Sequence, residues 1–321
     1  MSDILVTNLL SPVVLCFLLG VAARLAGSEL RLPKDLYTSL SIYLLFALGL
    51  KGGHELAHAS LAVIAWPATV TIALGCITPL TAYVVLKRLG GFSTADSAGI
   101  AAHYGSVSAV TFIAAQSFCA SVGTPVEGYL ATLLTLLESP GIHIALAIGA
   151  IGVGGNRPVS ETLHEILTGR TMVLLVGGLF VGYAMGDTGW TAVSPFFENG
   201  FKGALSIFIL EMGVVAADRF ADLKKVGAFL LAFGIGMPVV HGILGAVLGE
   251  WAGLSVGGST VLAAMAASAS YIAAPPAVRM TLPEANPTYS LTAALAITFP
   301  FNVIVGIPLY YEIAKHLEAW L

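Results

Sequence analysis

The chain has 321 residues, of which 57% are hydrophobic and only 10% charged, with a formal net charge of −4 and a mean hydropathy of +0.91. Soluble domains carry about 25% charged residues, so this composition excludes an ordinary water-soluble enzyme domain. No basic tract or aromatic-interleaved patch suggests nucleic acid, and the 36 glycines and 15 prolines suit interrupted, closely packed membrane helices.

A membrane span needs about 20 apolar residues, and the hydropathy pattern predicts ten: 9–27, 34–51, 60–88, 95–120, 126–153, 170–187, 198–217, 225–250, 257–282 and 288–315. No Lys or Arg precedes the first run, so it reads as a retained helix rather than a cleaved leader. Lys51-Gly52-Gly53-His54-Glu55 closes the second run, and Pro67 and Pro79 fall in the third. The fourth carries a polar interruption, Ala102–Thr111, AHYGSVSAVT, and Glu138-Ser139-Pro140 interrupts the fifth. The polar stretch from Gly154 to Arg170 reads as a linker.

The second half repeats this layout. Glu211 sits midway through the seventh run, Pro238 lies in the eighth, and Ser268–Pro276, SASYIAAPP, interrupts the ninth. Thr298-Phe299-Pro300 interrupts the tenth. Five spans per half is an odd number, so residues 170–321 would cross in the opposite sense to residues 1–153, with 154–169 between them. The expected fold is an all-α membrane protein with ten transmembrane helices in two inverted five-helix repeats, helices 4 and 9 being broken and crossing. Arg24, Arg31, Lys34, Lys87, Arg88, Arg157, Arg170, Arg219, Lys224, Lys225 and Arg279 group on one side, against Lys51, Lys202 and Lys315 on the other. The positive-inside rule puts the first set in the cytoplasm and both termini outside.

Lipid tolerates irregular backbone only where protein or a water-filled cavity satisfies it, which makes the two polar interruptions the candidate site. Ser106, Ser108 and Thr111 offer hydroxyls, and Gly105 lets the backbone turn or approach a ligand. Ser268 and Ser270 do the same in the ninth span, where Pro275 and Pro276 pre-set a new helical turn around Ala274. Two helix N-termini crossing there would hold a small anion without an arginine, and freed carbonyls with hydroxyls would suit sodium. The bland alternative is that these hydroxyls bond their own helices or glue neighbours. Glu138 is costly at membrane depth and reads as a ligand or charge partner for a coupling cation, with Ser139 beside it and Asn302 as a second polar group. Glu211 is weaker, Glu127 interfacial, and His143 and His241 read as hydrogen-bonded membrane histidines. The three cysteines, Cys16, Cys76 and Cys119, read as small buried hydrophobes. No metal cluster, nucleophile triad or nucleotide loop is legible, so neither an enzyme nor a cofactor is expected.

On GSVSAVT at Gly105–Thr111, Glu138-Ser139-Pro140, Met212-Gly213, Pro238-Val-Val-His-Gly242, Ala267–Pro276 with Arg279, and Leu282-Pro-Glu-Ala-Asn-Pro287, the chain resembles the sodium-dependent bicarbonate transporters of the cyanobacterial carbon-concentrating mechanism. The resemblance runs over nearly the whole chain. It implies a core domain of spans 3–5 and 8–10 and a gate domain of spans 1, 2, 6 and 7. It further implies a homotrimer in the cytoplasmic (inner) membrane, sodium–bicarbonate symport, and a cytoplasmic regulator of the PII type. The family's bicarbonate and sodium groups would fall on Gly105–Thr111, Ser268–Pro276 and Glu138. Tyr271 and Ala273 stand where the family pattern has aspartate and serine, which removes two ligands and shortens the case for bicarbonate against another small anion or carboxylate. A channel, or a sensor that binds the same anion without moving it, is the reading from another class.

Overall fold

The computed structural model describes residues 2–138, 140–153, 164 and 168–319, and every regular element among them is helical. In chain order these are α1 (Ser2–Leu9), α2 (Pro12–Leu25), α3 (Lys34–His58), α4 (Leu61–Arg88), α5 (Thr94–Tyr104), α6 (Ala109–Ser121), α7 (Leu130–Glu138), α8 (Pro140–Gly152), α9 (Arg170–Ser194), α10 (Phe201–Asp218), α11 (Leu223–Trp251), α12 (Val256–Ala266) and α13 (Ala274–Thr281). The last helical run starts as α14 (Pro287–Thr292) and ends as α15 (Ile307–Glu318). Six stretches are long and apolar enough to cross a membrane: Lys34–His58, Leu61–Arg88, Thr94–Ser121, Leu130–Gly152, Arg170–Trp251 and Pro287–Glu318. The molecule is a multi-pass, all-α membrane protein. Ser139 and most of the 154–169 linker, including Arg157, lie outside the described residues.

Local chemistry sets the helix starts. Ser11, Ser93, Ser108 and Ser255 each accept a hydrogen bond from the backbone N–H three residues on, which satisfies one orphan donor of the first turn. Pro12 and Pro287 open their helices with φ already set. Gly186 (φ 61°, ψ −170°) and Gly227 (φ 76°, ψ 163°) leave helical geometry inside α9 and α11, in a region that only glycine enters cheaply. The sixth span, expected to end at residue 187, therefore continues to Ser194 in a new direction.

Prolines do not act alike. Pro67 and Pro79 lie inside the unbroken α4. The expected interruption at Thr298–Pro300 does not occur. Wide π turns at Ala293–Thr298 and Asn302–Gly306 flank Phe299–Phe301 and keep the run helical from Pro287 to Glu318. A π turn gives the proline ring space and absorbs its missing N–H without a break.

Helices pack closely through glycine. A Cβ on Gly49 would lie 2.8 Å from the Gly178 Cα, so α3 and α9 touch backbone to backbone. Gly141 on α8 would place a Cβ 1.8 Å from the Gly105 carbonyl oxygen. Two connectors also dock on helix starts in a reciprocal way. Glu127, between α6 and α7, accepts the Ser255 N–H at 2.6 Å just before α12. Asp96, in the first turn of α5, accepts the Asn286 N–H at 2.8 Å from the connector before α14. Glu127, expected at the interface, is thus a carboxylate placed where the helix dipole favours it.

The interior holds two apolar clusters. One is built around Phe112, Leu133, Phe208, Leu262 and Tyr310, the other around Leu86, Tyr104, Ile142, Leu230 and Val278. Tyr271 packs against both.

Candidate functional site

The two interruptions meet. The chain leaves helix after Tyr104 and resumes at Ala109; it leaves again after Ala266 and resumes at Ala274. The most apolar window of Thr94–Ser121 is 100% buried within the protein. That supplies the condition under which irregular backbone survives at membrane depth.

The unpaired backbone groups at these ends satisfy one another. The Ser108 N–H donates to Ser268 Oγ at 2.8 Å, and that hydroxyl donates to the Met265 carbonyl at 2.8 Å. The Ser270 N–H donates to the His103 carbonyl at 2.8 Å. Ser108 Oγ takes the Thr111 N–H at 3.2 Å and reaches the Tyr271 hydroxyl at 3.4 Å. Ser270 Oγ accepts the Ala273 N–H at 3.3 Å, just before Ala274 opens α13. The N-termini of α6 and α13 and the C-termini of α5 and α12 therefore end in one buried polar knot. Among the described residues no Lys or Arg is buried, so any positive potential at the knot comes from helix ends. Pro275 and Pro276 lack N–H groups, so α13 contributes mainly its dipole and α6 most of the free donors.

The residues singled out from sequence divide into two groups. Ser108, Ser268 and Ser270, with Thr111 and Ala274 in the first turns of α6 and α13, are in the knot and buried. Ser106 and Gly105 face elsewhere. Ser106 Oγ donates to the Glu138 carbonyl at 3.0 Å. Gly105 has no room for a ligand on its Cβ side, where Pro79 would be 2.6 Å and Gly141 3.1 Å away; its lack of a side chain serves packing. Asn302 also differs from expectation. Its Nδ2 donates to the Ala267 carbonyl at 2.8 Å, and its Oδ1 accepts from the Tyr310 hydroxyl at 2.9 Å. Both ends of the amide are spent, one on the C-terminus of α12 and the other on Tyr310 of α15, which leaves it poorly placed as a cation ligand.

Among the described residues, two buried side-chain atoms near the breaks have no partner. One is Glu138 Oε2, on a residue only 2% exposed. The other is His103 Nε2. His103 Nδ1 lies 2.7 Å from the Gly99 carbonyl; a carbonyl only accepts, so Nδ1 carries the proton and Nε2 of the neutral ring is a bare lone pair. A buried carboxylate oxygen and an imidazole lone pair are both suited to a cation or to a ligand hydroxyl.

A cavity of about 900 Å³ lies apart from the knot, lined by Lys51 and Glu55 of α3, Ile113 and Gln116 of α6, the 123–128 connector, and Glu198 and Lys202 before and within α10. It reaches α6 in the second turn after Ser108. Lys51 Nζ and Glu198 Oε1 pair at 2.7 Å on its wall.

Sequence reasoning missed several members of this architecture. Tyr271 entered only as a departure from a family pattern, yet it supplies a hydroxyl to Ser108 and joins both apolar clusters. Tyr104 OH meets Thr298 Oγ1 at 2.6 Å, and Thr298 Oγ1 in turn donates to the Gly234 carbonyl at 2.7 Å, tying α5 to the last helical run and to α11. His241 Nε2 meets Thr81 Oγ1 at 2.8 Å, as expected of a hydrogen-bonded membrane histidine. Glu211 accepts the Leu32 N–H at 2.8 Å, so it holds the connector before α3.

A membrane protein with two interrupted helices meeting end to end in a buried polar knot has the construction of a secondary transporter. The model of the Na+-dependent bicarbonate transporter superfamily matches residues 12–315, and the chain belongs to that family. It is thereby a transporter and not an enzyme. Among curated proteins no relative matches.

Proposed function

We propose that the protein imports bicarbonate by sodium symport, with the anion taken at the knot between α5/α6 and α12/α13. The observation that carries this reading is the reciprocal pair of bonds Ser108 N–H to Ser268 Oγ and Ser270 N–H to His103 O. These close a site made of helix ends, and such ends hold an anion without a buried cation. Bicarbonate would take the α6 donors and the hydroxyls of Ser108, Ser268 and Ser270. Sodium would sit by Glu138, whose carboxylate supplies the charge, with the Thr111 hydroxyl as a further candidate ligand.

Ten spans in two inverted repeats fit the reciprocal docking of the Glu127 connector on the start of α12 and of the Asn286 connector on Asp96 of α5, since a connector of each half meets the start of a broken helix in the other. Spans 3–5 and 8–10 would form the moving core and spans 1, 2, 6 and 7 the gate of a homotrimer. The cavity of about 900 Å³ lies between the two groups and would be the external vestibule. Arg24 and Arg31 converge on Asp218, which agrees with the basic loops sharing the cytoplasmic side. Both termini would then be outside, in the inner membrane, and a PII-like regulator would dock on the cytoplasmic face.

The Tyr271 hydroxyl within reach of Ser108 favours a second reading, in which the same knot takes a different small anion or a carboxylate. Uptake of labelled bicarbonate into proteoliposomes, with and without an inward sodium gradient, separates them. Sodium-dependent accumulation above equilibrium supports symport. Equilibrating flux points to a channel, binding without flux to a sensor, and uptake of another anion alone to the second reading.

A further inference from the structure

The structure assigns a second cation site, unrelated to the knot, at the far end of α3. His54 and His58 are four residues apart on that helix and so share one face. Asp187 faces them from α9. Both imidazole Nε2 atoms lie 2.9 Å from the same Asp187 oxygen, Oδ1. One ligand atom from each of the three residues falls within 4.8 Å of the others.

The arrangement is held from several sides. Gly186 departs from helical geometry immediately before Asp187, which resets the face on which the carboxylate emerges. Trp190, one turn further along, stacks on His54 with ring centroids 5.1 Å apart and planes at 17°. Beneath the cluster α3 and α9 are locked by backbone contact. A Cβ on Gly53 would lie 2.1 Å from the Leu179 carbonyl oxygen, and one on Gly182 would lie 2.1 Å from that of Leu50. The scaffold therefore fixes where the ligand atoms stand. Access is open, since the side chains of His58 and Asp187 are 53% and 75% exposed.

We propose that His54, His58 and Asp187 bind a divalent transition-metal ion, zinc by preference, and so staple the outer ends of α3 and α9. Two imidazoles and one carboxylate are the donor set that zinc accepts in sites with an open fourth position. Calcium and magnesium prefer all-oxygen shells, so they should compete poorly. Metal would replace the two hydrogen bonds to Asp187 Oδ1 by direct bonds from both Nε2 atoms. The staple joins α9 to a helix that also borders the vestibule, because Lys51, Gly52 and Glu55 on α3 line it.

The test uses the full chain in detergent, freed of any histidine tag and treated with a chelator. Cobalt, a spectroscopic stand-in for zinc, is titrated while its visible d–d absorption is followed, and zinc then competes it off. One ion per chain at micromolar or lower concentration is expected, with a rise in the melting temperature on zinc addition. His58→Ala and Asp187→Asn alter exposed side chains, so folding should persist, and each should weaken binding by about tenfold or more, in keeping with the loss of one ligand. Absence of saturable binding overturns the proposal, and so does zinc binding of equal strength in wild type and both variants. Magnesium raising the melting point as much as zinc would also overturn it. None of these readouts depends on transport, so the outcome stands apart from the symport reading.

Discussion

Ser268→Ala removes one hydroxyl that does two jobs at the knot. Ser268 Oγ accepts the Ser108 N–H and donates to the Met265 carbonyl, both at 2.8 Å, and the residue is 1% exposed. In the variant the Ser108 N–H is left buried without an acceptor. An unsatisfied buried donor costs about 1–3 kcal/mol. The Met265 carbonyl loses less, because a C-terminal helix carbonyl retains other partners. The empty transporter should therefore melt at a lower temperature than wild type. If an anion binds at the start of α6, its oxygen accepts that same N–H and repairs the defect. Bicarbonate should then raise the melting temperature of Ser268→Ala more than that of wild type, even where the variant's uptake is slowed. The assay is thermal unfolding in detergent, with bicarbonate or chloride at equal ionic strength and sodium held constant. Two results would refute the reasoning: a variant as stable as wild type without ligand, or a destabilised variant that bicarbonate rescues no better than chloride does.

Glu138→Gln keeps the shape of a 2% exposed side chain and removes its charge; sodium activation of uptake should weaken by about tenfold or more, the scale of one lost charge-assisted contact. Unchanged sodium dependence would make the carboxyl structural. Ser108→Ala and Ser270→Ala should each lower bicarbonate affinity by about five- to a hundredfold, and the double variant should lose less than the product of the two because both act at one knot. Strict multiplicativity in uptake KM would separate the serines into independent roles. Gly141→Ala puts a methyl 1.8 Å from the Gly105 carbonyl oxygen, backbone that cannot rotate away, so α8 must shift by about 1.5 Å to reach ordinary contact. Such overpacking costs about 1–3 kcal/mol and moves Glu138 relative to the knot. Loss of uptake with the folded protein retained on size exclusion is expected, and wild-type uptake would count against a site that depends on this contact.

Much of the architecture was legible in the residues because it follows from local chemistry. An apolar run long enough for a bilayer announces a span, and hydroxyls or paired prolines inside such a run announce that its backbone bonds are interrupted there. Ala102–Thr111 and Ser268–Pro276 were recognisable on those grounds, and so was the cost of Glu138 at depth. Local chemistry also misled, as at Pro300, where the helix absorbs the ring in π turns rather than breaking. What the sequence could not supply was pairing across the chain. Ser108 and Ser268 are 160 residues apart, and Asp187 lies 133 residues from His54; nothing in local propensity or hydropathy brings them together. Packing of α6 against α12, and of α3 against α9 at glycines where backbones touch, decided that. Tertiary packing likewise turned Ser106 toward the Glu138 carbonyl, spent the Asn302 amide on α12 and on Tyr310, and aimed Asp187 at two histidines. A hydroxyl, an amide or a carboxylate has the same chemistry wherever it stands in the chain. Which partner it meets is fixed only when the helices have settled on one another.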